Sequence, residues 1–474
     1  MKTGKGVFLL VCVFSLVFLL TILNPPQSIA AAVKARFEVS KMGDMSDFDP
    51  SNPVIPTGDT IKIAVVGSFS GPAAAAGEGF FLDVQWAAHD YNKRGGIMVD
   101  GKKKLIQVFK ADTAGKPAQA KQVCEQMVLQ NGVKFLIGSD GSHIVKVMNQ
   151  VADKYKVIAM NFVSMSDDLQ DATNFSRYAF MPWWQTSQSG KAFAYFYGQI
   201  RKKEKKFYIL CQDYLFGHDL AEGFKNGLKE YYPGAQIVGE DFHKLFMTDF
   251  APYISKIKAS GAEVIFTGDW NPDALNLLKQ ARQMGVHIPI AQIFIVDPVA
   301  LSSVGIEGSK GLVLGTPVYD GNPVFKTPEM IKYYNIWNNL YKTKFKPPYN
   351  SRAYEWGWDP LAMETYWLLS VIERAGSVDP EKIIKVWEGD SYQYVNGHVA
   401  TMRACDHNTI QDLYITEYVP PDQQKVAFNI PPYHWGQGDY SFTGPAYKIP
   451  SEKVIPWMDP KLERCKGKNP ASAN

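Results

Sequence analysis

The sequence predicts an α/β protein built from two doubly wound modules, and three observations carry that prediction. In residues 61–97, IKIAVVGSFSGPAAAAGEGFFLDVQWAAHDYNKRGGI, a β-branched run, a glycine–serine turn and an amphipathic helix follow one another. Apolar runs of strand length then alternate with helical patterns as far as Thr316. Near residue 185 the alternation restarts, which makes two modules rather than one. Ligands of such sheets lie beyond the carboxyl ends of the strands, so the loops after the strands are the places to look for a site.

Ile61-Lys62-Ile63-Ala64-Val65-Val66 has the continuous apolar character of a buried parallel strand. Phe80, Val84, Ala87 and Tyr91 mark one face of the next helix, which stops at Gly95-Gly96. Strands are expected at 105–109, 134–137 and 157–160. Between them lie a helix over 117–130 that opens on proline and another marked by Ile144, Met148, Val151 and Tyr155. In the second module strands are expected at 207–211, 237–240, 264–267, 288–295 and 311–316, and Leu220, Phe224, Leu228 and Tyr231 mark a helix face. Two long helices follow over 328–344 and 358–375. Residues 399–402 and 413–418 have the look of a β-hairpin, and a Pro-, Tyr- and Trp-rich tail over 420–474 has no helical period. Right-handed crossovers put helices on both faces of each sheet, so each module is a three-layer sandwich.

Composition bounds the rest. The chain has 474 residues, 46% hydrophobic and 20% charged, with room for two or three domains. A net charge of +3 with scattered basic residues argues against a nucleic-acid binder. The one basic run, Arg201 to Lys206, reads as a solvated loop between elements. At the N-terminus Lys2 and Lys5 precede an apolar run over 7–23, and Ser28-Ile29-Ala30 offers small residues before a cut. That is the pattern of a secretory signal peptide, residues 1–30, with a retained membrane anchor as the other reading. Residues 31–60, rich in Asp, Pro and Ser, read as an extended leader. The mature product is expected to be soluble and extracytoplasmic.

Cys124 and Cys211 fall in apolar patterns and read as buried thiols. Cys405 and Cys465, in polar late segments of an exported chain, are the expected disulfide. The loose cluster His398, Cys405 and His407 lacks the spacing of a zinc site, and there is no Walker A motif and no dinucleotide fingerprint. No metal and no cofactor are expected, and no catalytic triad or carboxylate pair stands out. The chain reads as a binder rather than an enzyme.

The candidate site residues come from the turns after strands. Ser142, in FLIGSDGSH, sits at a helix start, where it serves either as a plain helix cap or, with nearby N–H groups, as an anchor for a ligand carboxylate. A Ser142 nucleophile with His143 as base is disfavoured, because adjacent helical residues point apart and the spacing is not GxSxG. Ser164 and Ser166 follow the next strand and suit a cleft rim or a simple turn. Phe216 and Trp270 hold the same places in the second module, as aromatic walls or as edge packing.

The motifs IKIAVVGSFSGP, YNKRGGI, FLIG before a Gly/Ser turn, and QDYLFGHDLAEGFKNGL, in an exported chain, resemble the solute-binding proteins of branched-chain amino-acid-type ABC importers from about Ile61 to Tyr418. The resemblance implies two lobes of the type I periplasmic binding fold joined by a three-strand hinge. Lobe 1 would hold 61–183 and 318–395, and lobe 2 would hold 184–317 and 396–419. Crossovers would fall at 182–184, 316–319 and about Val395. It implies that Ser142 holds an α-carboxylate, aided by Ser164, with Met165 standing where the family has a threonine. Phe216 and Trp270 match two tyrosines that close over the ligand, and Trp358-Asp359 matches a Tyr-Asp near the hinge.

Ser70 of the SGP loop, His143, Trp184 and Phe294 complete the candidate set. Phe294 falls where amino-acid binders place a glutamate for the ammonium, and Ala76 where they place a tyrosine. Thr186 or Gln188 replaces a second-lobe aspartate, and Thr113-Ala114-Gly115 lacks the family's early cysteine. Carboxylate recognition is therefore kept and ammonium recognition weakened, and the Trp183-Trp184 pair with Trp270 suggests an apolar or aromatic ligand. The implied function is delivery of a small carboxylate, an amino acid or an organic acid, to an ABC permease by a monomeric receptor. A sensor of the same fold feeding a signalling receptor is the alternative.

Overall fold

The structure is a computed structural model of the 474-residue chain and describes residues 1, 33–138, 141–295, 298–316, 327–347, 349, 360–420 and 445–474. Strands β1 (Ala35–Arg36) and β2 (Ile61–Gly67) lead into helix α1 (Ala74–Lys93) and the hairpin β3 (Ile97–Val99) and β4 (Lys102–Lys104). Then come β5 (Ile106–Asp112), α2 (Pro117–Leu129), β6 (Phe135–Gly138), α3 (Ser142–Tyr155), β7 (Ile158–Asn161) and β8 (Ala179–Phe180). The first-lobe sheet has the order β5-β2-β6-β7-β8 and is parallel throughout. Helix α1 buries Phe80, Val84, Ala87 and Tyr91. Past its end, Gly96 has φ of 83°, and a Cβ there would stand 2.3 Å from the Lys104 carbonyl oxygen, so both conformation and space require glycine.

The second lobe runs through α4 (Thr186–Tyr195), β9 (Lys206–Gln212), α5 (Leu215–Tyr231), β10 (Gln236–His243), α6 (Ala251–Ser260) and β11 (Val264–Phe266). It continues with α7 (Asp273–Gln283), β12 (Ile290–Gln292), α8 (Pro298–Ser309) and β13 (Leu312–Thr316). After α9 (Pro328–Thr343), α10 (Pro360–Ala375) and α11 (Pro380–Trp387) the chain forms β14 (Ser391–Gln393), β15 (Val399–Met402), β16 (Thr409–Gln411), β17 (Leu413–Glu417) and, in the tail, β18 (Ala446–Ile449). The second-lobe sheet has the order β10-β9-β11-β12-β13-β17-β18, parallel as far as β13 and antiparallel beyond. The fold is mixed α/β with two parallel-cored sheets, as the sequence predicts. No helix among the described residues is long and apolar enough to cross a membrane.

Four expectations change. The segment before residue 60 is largely extended, but it is part of the core. Its β1 pairs in parallel with β14, Phe37 packs on Tyr333 and Tyr366, and Phe48 meets Trp86 edge-on at 5.2 Å. The buried apolar anchors, Phe37, Val39, Met45 and Phe48, show no period, which is why the stretch reads as a leader.

Residues 399–402 and 413–418 are strands but not a hairpin. β15 pairs with β14 and β16, whereas β17 pairs with β13 and β18. A turn held by the buried Arg403–Asp406 pair folds β15 onto β16 instead.

The third crossover accordingly lies between Gln411 and Leu413, not near Val395, and residues 399–411 belong with a small sheet, β1-β14-β15-β16, packed on the first-lobe helices. Met181 bridges Asn408, and Gln411 Nε2 donates to the Pro182 carbonyl, so this crossover runs beside the first one. The crossover at 316–319 lies outside the described residues except for Thr316.

The tail, as far as it is described, is not just a surface wrap. Its β18 extends the second-lobe sheet, and Cys465 then joins Cys405 in a disulfide with a Cα–Cα distance of 5.1 Å. Cys124 and Cys211 are free and buried.

Candidate ligand-binding cleft

Strand carboxyl ends from both lobes converge on a cavity of about 220 Å³ lined by Ala76, Phe80, Gly141, Ser142, Val163, Ser164, Met165, Tyr214, Phe216, Trp270, Asn271 and Phe294. None of these residues is charged. The first lobe supplies Ser142 and Gly141 after β6, and Val163, Ser164 and Met165 after β7; Ala76 and Phe80 come from the first turns of α1. Gly138 closes β6 tightly against its neighbour, since a Cβ there would lie 2.3 Å from the Val66 carbonyl oxygen.

Ser142 is buried in the first turn of α3, whose cap is Gly141. The expected serine-cap role is therefore absent. Its Oγ has no hydrogen-bond partner among the described residues, and Ser142 borders the cavity. The first N–H groups of a helix have no intrahelical acceptor, and the helix dipole adds partial positive charge there. A buried donor beside a helix N-terminus, with no charged residue among the described lining, has the chemistry that suits an anion.

The second lobe supplies the rings. Tyr214 and Phe216 follow β9, Trp270 and Asn271 follow β11, and Phe294 follows β12. Trp270 Nε1 donates to Tyr214 Oη at 3.0 Å, which fixes the indole across the cleft. Phe216 lies 5.8 Å from Tyr214 and 6.0 Å from Phe294, both tilted. At Gly268 a Cβ would come within 2.2 Å of Leu220, so glycine lets the helix carrying Phe216 approach β11.

Contacts near the cleft join the lobes. The His143 ring meets Tyr214 edge-on at 5.6 Å. Ser166 Oγ donates to the Asp219 carboxyl, which burial, with Asp167 and Asp168 nearby, raises to about 7. Asp167 is itself fully buried and is pushed up to about 6, while bonds from Thr186 and Ser187 pull the other way.

The sequence candidates separate accordingly. Ser142, Ser164, Met165, Phe216, Trp270 and Phe294 line the cavity. Three others do not. Ser70 is exposed and donates to Asp112 at the end of the neighbouring strand β5. His143 stands behind the wall against Tyr214. Trp184 is buried and stacks on Trp183 at 3.8 Å, so the Trp pair is core and gives no evidence about the ligand. Trp358 lies outside the described residues. Thr186 and Gln188 face into the hinge packing rather than the cavity. Phe80, Val163, Tyr214 and Asn271 were not foreseen as lining. Tyr214 carried a usable signal, since it stands between a strand end and a helix start.

His398 and His407 are engaged with Gln411 and with Glu388 and the Ala179 carbonyl. Cys405 and Cys465, grouped with Asp406, are joined to each other, which leaves no thiolate for a metal.

Two α/β lobes that present a cleft between their strand ends are the frame of a solute-binding protein. The chain belongs to the periplasmic binding protein family, whose profile matches residues 60–424. It is 27% identical to the Leu/Ile/Val/Thr-binding protein of Salmonella typhimurium over 269 residues, 56% of this chain and 71% of that one. A periplasmic binding protein from Burkholderia mallei superposes with a TM-score of 0.69 at 21% identity, covering 86% of this chain and 99% of the other. An ABC-transporter solute-binding protein of R. palustris, solved with 4-hydroxybenzoate, superposes with a TM-score of 0.67 at 21% identity, covering 82% and 97%.

Proposed function

We propose that this chain is an exported, non-enzymatic receptor that captures a small monocarboxylic acid between its lobes and hands it to the permease of an ABC importer. Residues 1–30 act as a cleaved signal peptide and the mature protein works as a monomer in the periplasm. Ligand that touches both lobes favours the closed arrangement by that differential contact.

One observation carries the choice of ligand. The cavity has an unpartnered buried hydroxyl at a helix N-terminus on one side, aromatic rings on the other, and no carboxylate among its described lining residues. An ammonium taken out of water without a carboxylate partner loses several kcal/mol of solvation. An aromatic or aliphatic acid without the amine suffers no such loss. Size agrees: an apolar cavity of roughly 150 Å³ holds one benzene, so about 220 Å³ suits a single ring with its carboxylate. A relative named for amino acids and a neighbour solved with 4-hydroxybenzoate support a choice between these two ligand classes.

Calorimetry against benzoate, 4-hydroxybenzoate, leucine, valine and the deaminated analogues of the last two decides the matter. Organic acids are expected to bind better than the matching amino acids. Tight binding of leucine or valine, with none of their deaminated analogues, overturns the proposal and makes the protein an amino-acid receptor.

A further inference from the structure

His243, the last residue of β10, is fully buried, and both its ring nitrogens face acceptors. Nδ1 lies 3.0 Å from the Lys244 carbonyl oxygen, and Nε2 lies 2.7 Å from Oδ2 of Asp269. A neutral imidazole has one N–H and satisfies one of these acceptors; the imidazolium satisfies both. Asp269 immediately precedes Trp270. On the far side of that loop Asp273 accepts from Gln212 Nε2 at 2.7 Å and from the Phe246 backbone N–H at 2.9 Å. Phe246, at φ of 62°, meets the Trp270 ring edge-on at 5.6 Å. The ends of β9, β10 and β11 are thus tied together behind the indole that walls the cleft, and the ties run through two buried carboxylates and one buried histidine.

We propose that His243 is a positioning residue for the ligand cleft: as an imidazolium it pins Asp269 and so sets where Trp270 stands, and loss of its proton weakens binding of ring-bearing acids. This rests on the reading of the cleft as a carboxylate site. The groups facing His243 are Asp269 from the loop after β11, Asp273 from the start of α7, Gln212 of β9 and the Asp213 backbone just after it, and the rings of Phe250, just before α6, and Tyr253 of α6. Asp269 and Asp273 are the acidic ones among these. Burial opposes the charge on His243, but the bonds and charges of Asp269, the Lys244 carbonyl and Asp273 outweigh it and lift the group above its usual 6.5. Its contribution is therefore complete at low pH and is lost as pH rises through that raised value.

The experiment compares benzoate and propionate binding at pH 6 and pH 9, with both acids ionised throughout. Between pH 6 and pH 9 benzoate is expected to lose about tenfold more affinity than propionate, within the usual range of such couplings; propionate, too short to reach Trp270, reports any pH effect common to both acids, such as the ionisation of Asp219. Reciprocity then requires saturating benzoate to raise the His243 midpoint by about one pH unit. His243→Gln, which donates to Asp269 without titrating, is expected to abolish this difference between the two acids. An equal pH dependence for benzoate and propionate, or a wild-type difference between them surviving in His243→Gln, overturns the proposal.

If His243→Gln does not fold, NMR of wild-type protein labelled with 15N-histidine and 15N-tryptophan decides. The Trp270 indole N–H signal is expected to move with the His243 midpoint, and independence of the two overturns the proposal. Failure of every acid to bind at pH 6 counts against the proposed function instead, and the ligand-free NMR titration still judges His243.

Discussion

The two walls of the cleft are built from the same topological position, the carboxyl ends of parallel strands, yet they present opposite chemistry. The first-lobe wall offers a helix N-terminus, a buried serine hydroxyl and small side chains; the second-lobe wall offers Tyr214, Phe216, Trp270 and Phe294. In the function proposed above, one wall takes the charge and the other the shape and bulk of the ligand. The helix terminus and its hydroxyl are fixed by the backbone of α3, so charge recognition needs little support from elsewhere. The rings need a scaffold of their own, which the Tyr214–Trp270 bond and the carboxylate ties behind Trp270 provide.

This contrast can be tested by perturbing each side in turn. The largest effect is expected where neither wall is touched. Replacing Cys405 and Cys465 by serine opens a loop spanning 60 residues, for which chain entropy gives about 4 kcal/mol of lost stability. A fall in melting temperature with ligand affinity retained confirms that the disulfide supports the frame and not a wall. Non-reducing peptide mapping that finds both thiols free rejects the bridge itself.

Trp270→Ala is next, with a loss of about 3 kcal/mol for an aromatic acid, from lost apolar burial plus ring-on-ring contact, and little loss for an acid as short as propionate. Equal losses for both acids refute the division into charge-reading and shape-reading walls. Ser142→Ala is expected to weaken every carboxylate by about 2 kcal/mol regardless of the rest of the ligand, the value of a hydrogen bond to a charged group. A ligand-dependent loss there also breaks the comparison.

The smallest effect concerns the bond between the lobes. Ser166→Ala removes one hydrogen bond, worth about 1 kcal/mol. Because burial lifts Asp219 from its usual 3.8 to about 7, its support for the closed arrangement is present at low pH and lost as pH rises through 7. Small-angle scattering of ligand-free protein at pH 5.5 and 8.5 is expected to show a more open form at the higher pH. An identical envelope in Asp219→Asn and wild type at both values discards this contact as a latch.

Much of the frame is legible in the chain. The runs 61–66, 207–211 and 264–267 are apolar on both faces, and helix faces such as Ile144, Met148 and Val151 recur at helical spacing; each coincides with an observed strand or helix. The site was half legible. Ser142, Phe216 and Trp270 follow strands directly, and placement after a strand is a local property. Ser70 and Trp184 show the limit of that argument. Ser70 follows a strand but turns to Asp112, and the adjacent tryptophans at 183 and 184 are buried against each other in the hinge core.

Alternating strand and helix patterns, then, are a property of consecutive residues, because a parallel strand must be apolar on both faces and a surface helix on one, and those requirements are written locally. Partnership is not local. That β15 turns back to β16 while β17 crosses to β13, that a tail strand completes the second sheet, and that the loop bearing His243 clasps the loop bearing Trp270, are decided by packing between segments far apart in sequence. Local periodicity gives an apolar strand or ring a reason to be buried, and only the assembled sheets select what it is buried against.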